Sequence, residues 1–504
     1  MKKMLDSYII PFRKLYPKIK NIQRSRPVMS RVLFLSPPFV EGFTRNARWA
    51  AKSRGRVQRH PDYLLTAAAV VEAGGHDVKY IEGTALNIPE DEIIAQAKDF
   101  APDMLVILAT TPSIYNDIEW AGKIKEKTGC LTVLVGQHVS AAVENSFEIS
   151  NGAVDVIARR EYDYQLKELA DNRPLTEIKG LSYLQNNEIC HNPDAPLIDV
   201  NELPFPAWHH IKPEWYPAFG KRSPYLTLIS GRGCNNRCTF CRDPQIMYGR
   251  KLRTRDPRLV VDEIEYDYKL FPDLAEIMIE TDTFTASPKH VQGVCEEILR
   301  RNLKISLSTN ARVDCKVELF PLMKKAGFRW LNVGFEFGTN EQLKAVKKGT
   351  TIEQARRFAI AAKKAGLKVH GCFMIGAPGE TRESALKTIA FAKSIPMDTV
   401  QFTGITVYPG TEMYEQAKQE GCLITKDWTE WLNPAKEQIT NLRYENLTTE
   451  EINELVDKGL KEFYLRPSQI WRIAKGIRTW GDVKSKFYGF LKFLDYTTGK
   501  SPSP

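Results

Sequence analysis

Three thiols stand together in the run SGRGCNNRCTFCRDP (residues 230–244), which places Cys234, Cys238 and Cys241 with three and then two residues between them. Thiolates are the ligands of iron–sulfur clusters, and a complete set for a four-iron cluster is four. Three on one tight loop leave one iron open. An open coordination position separates a catalytic metal centre from a closed structural one. Two other chemistries remain compatible with these thiols. A zinc knot would need a distant fourth ligand such as Cys190, Cys295 or His210, and a redox pair would use only Cys238 and Cys241. The redox pair leaves the third cysteine and the preceding strand without a role.

The elements that must hold this loop are legible around it. YLTLIS (225–230) is the first of six apolar runs, followed by EIMIE (276–280), KISLS (304–308), WLNVGFE (330–336), KVHGCFMIG (368–376) and TVQFTGI (399–405). Helical patterns follow nearly every run, which predicts an α/β architecture with a partial (β/α)6 barrel over residues 225–425. Barrel enzymes work at the C-terminal strand ends, where the cysteines fall. Along 368–376, alternation puts His370, Cys372 and Met374 on one face and Val369, Phe373 and Ile375 on the other. With the apolar set toward the helices, His370 and Cys372 face the barrel interior, as substrate contacts or as satisfied core residues.

Residues 30–195 carry a second β/α rhythm: VLFL (32–35), VKYI (78–81), MLVILA (104–109), LTVLVG (131–136) and VDVIA (154–158). Helices are expected at Tyr63–Ala73, closed by Gly74-Gly75, and at Ile114–Lys127. Five strands predict a flavodoxin-like, Rossmann-like doubly wound parallel sheet, whose ligands sit outside the C-terminal strand ends. Those ends place Ser36 and Pro37, then Thr110, Thr111 and Ser113, then Gly136, Gln137 and His138 as candidate binding residues. A proline-rich linker spans 196–224. Residues 1–29 form a basic extension, and 426–504 an aromatic, basic, mainly helical C-terminal region.

With 504 residues, 43% of them hydrophobic, the chain can bury two or three cores, which excludes a disordered or fibrous protein. The net charge of +10, from 71 basic against 61 acidic residues, fits a solvated basic surface, or else an anionic substrate or a membrane surface, and is no sign of nucleic acid. Nine cysteines, mostly scattered, do not make a disulfide framework and fit a reducing, cytoplasmic compartment. No apolar run reaches the length of about 18 residues that a transmembrane helix needs. The first twenty residues lack a secretory core; they fit a packed or disordered extension, or a peripheral membrane contact.

The CxxxCxxC loop, with Phe240 before its last cysteine, resembles the signature of the radical S-adenosylmethionine superfamily, over about residues 225–425. The resemblance implies a [4Fe–4S] cluster on Cys234, Cys238 and Cys241 whose open iron is chelated by S-adenosylmethionine. Reductive cleavage then gives a 5′-deoxyadenosyl radical, while the protein orients the cofactor and excludes water. By the same resemblance, IETDTFT (279–285) offers Glu280 and Asp282 to the methionine ammonium. STNARVD (308–314) offers Ser308, Asn310 and Arg312 to the ribose and carboxylate, and NVGFEFG (332–338) turns Glu336 toward the cofactor. The turns in GCFMIGAPGET (371–381) and ITVYPGTEMY (405–414) correspond to those whose backbone reaches the adenine.

The front half resembles the cobalamin-binding domain joined to many such enzymes, through SPPF, LLTAAAVVEAGGHDV, ATTPSIYNDIEWAGKIK, VLVGQHVSA, VDVIARREYD and the linker LPFPAW. One departure stands out: no histidine has an aspartate two residues before it, so the D-x-H-x-x-G loop that supplies an axial ligand is absent. His60 and His138 are substitutes, or loop or core residues. The combined resemblance implies cobalamin-dependent radical methyl transfer to an unactivated carbon of a small substrate, with an external flavodoxin- or ferredoxin-type electron donor. A radical oxidative cyclisation, as in the anaerobic magnesium-protoporphyrin monomethyl ester cyclase, is the second reading. A non-catalytic carrier would close the fourth iron ligand, and a nucleic-acid methylthiotransferase would carry a second cysteine triplet. Hopanoid and bacteriochlorophyllide methylases share the layout, which points to a tetrapyrrole- or lipid-like substrate that the aromatic C-terminal region would suit. No residue is assigned a catalytic role.

Overall fold

The computed structural model describes residues 29–475 apart from 47–49, 53–56, 187 and 219. Most of the basic extension and the chain beyond 475 lie outside the described residues. All five apolar runs of the front half form parallel strands: β1 (Arg31–Ser36), β2 (Asp77–Glu82), β3 (Met104–Leu108), β4 (Leu131–Val135) and β5 (Val156–Ala158). Their order is β2-β1-β3-β4-β5, with β1 paired to both β2 and β3, so the winding reverses beside β1. A ligand crevice opens at such a point. Both faces are covered, Leu33, Leu35, Leu105 and Ile107 packing on one side and Val32, Phe34 and Val106 on the other. Burial on both faces is why these runs read as continuously apolar.

An antiparallel hairpin, β6 (Leu181–Gln185) and β7 (Glu188–His191), extends this sheet beyond β5. The sequence pattern did not reveal it, because Gln185, Asn186 and Glu188 interrupt the alternation at the turn. Helix α1 (Asp62–Ala73) ends as expected, but Gly75, with φ of 88°, is the left-handed residue, and Gly74 stays helical. Helix α2 (Ile114–Thr128) follows β3, and α3 (Asp163–Ala170) follows β5. Trp208 of the linker is fully buried, and Ala207 donates its N–H to Leu65 O at 3.0 Å, which seats the linker on α1.

The second sheet runs β8 (Tyr225–Leu228), β9 (Glu276–Ile279), β10 (Leu307–Arg312), β11 (Phe328–Glu336), β12 (Lys368–Ile375) and β13 (Thr399–Gly404). Each strand pairs in parallel with the next and the first does not meet the last, so the barrel is partial. β10 starts later than the apolar run suggested, and Ser308, Asn310 and Arg312 lie within it. Alternation sends Ile277, Ile279, Leu331, Val369 and Phe373 into the core shared with the helices. The opposite face carries Glu276, Ser308, Asn310, Asn332 and His370, so the barrel interior is polar.

In the C-terminal region a single turn at Trp428–Trp431 precedes helix α4 (Thr449–Tyr464), which starts in a capping box between Thr448 and Glu451. Trp431 is buried and donates to Val407 O at 3.0 Å, while Trp428 donates to Asn145 of the front domain at 2.7 Å. These two tryptophans are consumed in packing, whereas Trp471 is exposed. No helix among the described residues is long and apolar enough to cross a membrane.

Candidate cofactor cavity

The cysteine loop begins where a side chain is not tolerated. Gly233 has φ of 86°, and a Cβ there would lie 2.3 Å from Lys251 O. Gln245 then stitches the loop, its amide nitrogen lying 2.6 Å from Cys241 O, 3.1 Å from Thr239 O and 3.3 Å from Cys238 O. Its Oε1 accepts from Glu412 N at 3.0 Å. Cys234 and Cys238 are buried and Cys241 half-buried, and none of the three is in a disulfide. Donors point at the sulfurs: Asn236 Nδ2 lies 3.2 Å from Cys234 Sγ and Arg312 Nη1 lies 3.7 Å from Cys238 Sγ. Amide and guanidinium donors can bond to the sulfurs of a negatively charged cluster, so the donor set fits an iron–sulfur centre. Phe240 packs against the apolar group of Phe337, Met374 and Val407.

Glu280, just past β9, accepts from Asn310 Nδ2 at 2.9 Å and from Arg59 Nη1 at 2.7 Å. Asp282 accepts from Gly233 N at 2.8 Å and thereby also holds the cysteine loop. Ser308 sits deeper in the barrel, donating to Glu276 at 2.6 Å and accepting from Lys221 at 2.7 Å. Burial pulls the Lys221 ammonium down to about 7 against the pull of Glu276. The two-pronged face of Arg312 rests on Asp314, at 3.0 and 2.9 Å, so the chain itself occupies the carboxylate clamp. Glu336 has φ of 65° and pairs with Lys348 Nζ at 2.6 Å. A left-handed non-glycine residue costs about 1–2 kcal/mol, and such strain concentrates at functional sites. His370 bonds Thr399 Oγ1 at 2.8 Å, and burial lowers its ring to about 4, as for a satisfied core histidine.

On the front wall an unexpected residue joins the strand ends. Arg45 is fully buried and donates to Pro37 O at 3.0 Å, Leu108 O at 3.3 Å and Ser113 Oγ at 3.0 Å, and it pairs with Asp117. Ser36 accepts from Tyr80 at 2.8 Å, and Thr110 and Ser113 share a 2.7 Å bond. Thr111 meets His138 Nδ1 at 3.1 Å. Burial lowers the His138 ring to about 3, its Nε2 has no hydrogen-bond partner, and Trp428 lies edge-on at 4.8 Å. A buried nitrogen without a partner leaves one lone pair or proton for a ligand. His60 is held among Trp208, Tyr216 and Tyr225, at 5.9, 4.4 and 4.7 Å, and is a core residue. Gly136 takes φ of 110°, where a Cβ would lie 2.9 Å from Ala109 O.

Residues of both walls line one cavity between the two domains, and the three cysteines themselves are not among that lining. Gly136, Gln137 and Arg45 line it from the front, and Arg242, Asp243, Glu280 and Asp282 from the barrel. Of the residues the sequence pointed to, the cavity gathers Gly136, Gln137, Glu280 and Asp282; Ser36, Thr110, Thr111, Ser113 and His138 bond to front-domain neighbours behind it. Asp62 also lines it, its carboxyl pushed up to about 7 by burial and by the negative charge of Glu280. Beside it Tyr63 and Tyr248 stack at 4.9 Å, with Arg232 over both rings at 5.3 and 5.7 Å. Arg232 forks onto Asp163 of α3 at 2.6 and 2.9 Å, and Arg253 onto Glu161 at 2.9 and 2.7 Å. Arg232 and Asp163 lie 69 residues apart, so no local pattern in the sequence announces that they meet.

The Radical SAM superfamily model matches residues 228–392, from the end of β8 into the helix that follows β12, and the B12 binding domain model matches residues 58–170, from before α1 through α3. A protein named an uncharacterized methyltransferase in Pyrococcus horikoshii is 33% identical over 405 residues, covering 78% of this chain and 85% of that one. The chain belongs to the B12-domain branch of the radical SAM superfamily. It is a radical S-adenosylmethionine enzyme. The anaerobic magnesium-protoporphyrin IX monomethyl ester cyclase of Rubrivivax gelatinosus is 26% identical over 400 residues, covering 77% of this chain and 70% of the cyclase. The fold is shared with the radical S-adenosylmethionine methyltransferase TsrM of Kitasatospora setae, solved with cobalamin and a [4Fe–4S] cluster, at a TM-score of 0.63 and 19% identity over 79% of each chain. The cobalamin-dependent radical enzyme OxsB superimposes at 0.61 with 19% identity, over 90% of this chain and 66% of OxsB.

Proposed function

We propose that this radical SAM enzyme transfers a methyl group from S-adenosylmethionine to an unactivated carbon of a small metabolite, with cobalamin as the carrier. One observation carries the reading: residues flanking the cysteine loop and the strand-end loop Gly136-Gln137 line the same interdomain cavity. The cluster with S-adenosylmethionine supplies hydrogen abstraction, and cobalamin supplies the methyl group. Cys234, Cys238 and Cys241 would hold the cluster, and Glu280 and Asp282 would meet the methionine ammonium. Gly136 and Gln137 would face cobalamin, with Arg45 bracing the strand ends behind them. Overall, substrate C–H and two S-adenosylmethionines take two electrons from an external flavodoxin- or ferredoxin-type donor. They yield the methylated carbon, S-adenosylhomocysteine, 5′-deoxyadenosine and methionine.

Of the tetrapyrrole- and lipid-like substrates, the tetrapyrrole is supported by the names of relatives, among them two bacteriochlorophyllide d methyltransferases of Chlorobaculum tepidum. Relatives named as cyclases keep oxidative cyclisation as the second reading. Reconstituted enzyme incubated anaerobically with reductant, cobalamin, methyl-deuterated S-adenosylmethionine and a host metabolite extract separates the two. A product carrying the intact deuterated methyl group, together with 5′-deoxyadenosine, is the expected result. 5′-Deoxyadenosine with an unlabelled new product overturns methyl transfer in favour of cyclisation.

A further inference from the structure

We propose that Glu72, His209 and His210 form a divalent metal site of the zinc class that fastens the interdomain linker to the front domain. Glu72 lies in the last turn of α1, and both histidines lie on the single helical turn Trp208–His210 of the linker. Buried Trp208 and the bond from Ala207 N to Leu65 O set that turn on α1 and bring both imidazoles over one carboxylate. His209 Nε2 lies 3.0 Å and His210 Nε2 2.8 Å from the same oxygen, Glu72 Oε1. The rings are 4.3 Å apart, and one ligand atom from each residue lies within 4.8 Å of the others.

That spacing is close to a coordination polyhedron. Zinc bonds of about 2.0–2.2 Å to nitrogen and oxygen at the tetrahedral angle separate ligand atoms by roughly 3.3–3.5 Å. The two imidazole nitrogens therefore need to draw back from Glu72 Oε1 by about 0.3–0.7 Å, and His209, at 49% side-chain exposure, has room to move. Two imidazoles and one carboxylate, with no thiolate, suit zinc and its first-row neighbours, and a water completes the shell. The site is separate from the cofactor cavity. Asp62 lines the cavity from the start of α1, and Glu72 is ten residues further along the same helix, about 15 Å by the helical rise. A metal there ties the linker turn to α1 and stabilises the joint by binding the folded arrangement alone.

The test titrates zinc chloride into cluster-reconstituted full-length protein against a chromophoric chelator, with iron and zinc counted by elemental analysis. The expected result is one zinc per chain beyond the cluster, with nitrogen and oxygen neighbours at about 2.0 Å by X-ray absorption. His209→Ala, His210→Ala and Glu72→Gln should each weaken binding at least tenfold while iron and cobalamin content stay unchanged. His209→Ala is the variant least able to disturb packing, because its side chain is the most exposed of the three. Unweakened zinc binding by His209→Ala, no zinc bound by the wild type, or sulfur neighbours at about 2.3 Å each overturn the proposal.

Discussion

Replacing Asp163 by leucine removes one half of the fork that joins the front domain to the strand leading into the cysteine loop. Both partners are at 2% side-chain exposure, so water cannot take over from the lost carboxylate. Stranding a buried charge this way costs about 3–5 kcal/mol, a large share of the roughly 5–15 kcal/mol that stabilises a domain. Glu161, 3.8 Å from Arg232 Nη1, and the stacked Tyr63 and Tyr248 rings still face the guanidinium and together return about 1–2 kcal/mol of it. A net loss near 3 kcal/mol is therefore expected for Asp163→Leu. Adding Arg232→Met should recover at least half of that loss, because two apolar residues replace the pair without a stranded charge. Urea unfolding of the full-length chain, followed by tryptophan fluorescence and circular dichroism, measures the cycle. A loss below about 1 kcal/mol for the single variant, or additive losses in the double, would refute the reasoning.

Cys238→Ala should abolish assembly of the cluster and leave the front domain folded; unchanged iron content would sink the cluster assignment. Gln245→Ala leaves the carbonyls of Cys238, Thr239 and Cys241 without their side-chain donor, at about 1–3 kcal/mol. Iron loss to a chelator should quicken roughly tenfold or more, as read from the cluster absorbance. Asp62 has a carboxyl raised from 3.8 to about 7, so the folded state holds its proton more tightly than the unfolded state. Its contribution is intact below pH 4 and declines as pH rises to 7, by at most about 4 kcal/mol. Unfolding midpoints at pH 5 and pH 8 should therefore converge in Asp62→Asn, and an unchanged pH slope would remove Asp62 as its source.

The three thiols were readable because their ligand chemistry is local: one loop, one spacing, one preceding strand. The parallel strands were readable because burial on both faces leaves continuous apolar runs such as Met104–Leu108. What escaped was pairing across distance. Arg45 is held beside the end of β1 because Asp117, Pro37 O, Leu108 O and Ser113 Oγ converge there, and no sequence period announces that meeting. The clamp of Arg232 on Asp163 joins residues 69 apart for the same reason. Arg312 was read as a carboxylate clamp from its type, yet Asp314 two residues on already takes its fork. Composition alone also does not say which neighbour covers a ring, as with Trp428 and Trp431, held by Asn145 and Val407.

The central claim is that one cavity serves a cluster held by the barrel and a cobalamin held by the front domain. Electron paramagnetic resonance of reconstituted protein, with the cluster reduced and cobalamin in its cob(II) state, tests it most directly. Facing walls predict dipolar coupling that splits or broadens both signals. A spectrum equal to the sum of the two centres measured separately would contradict the account.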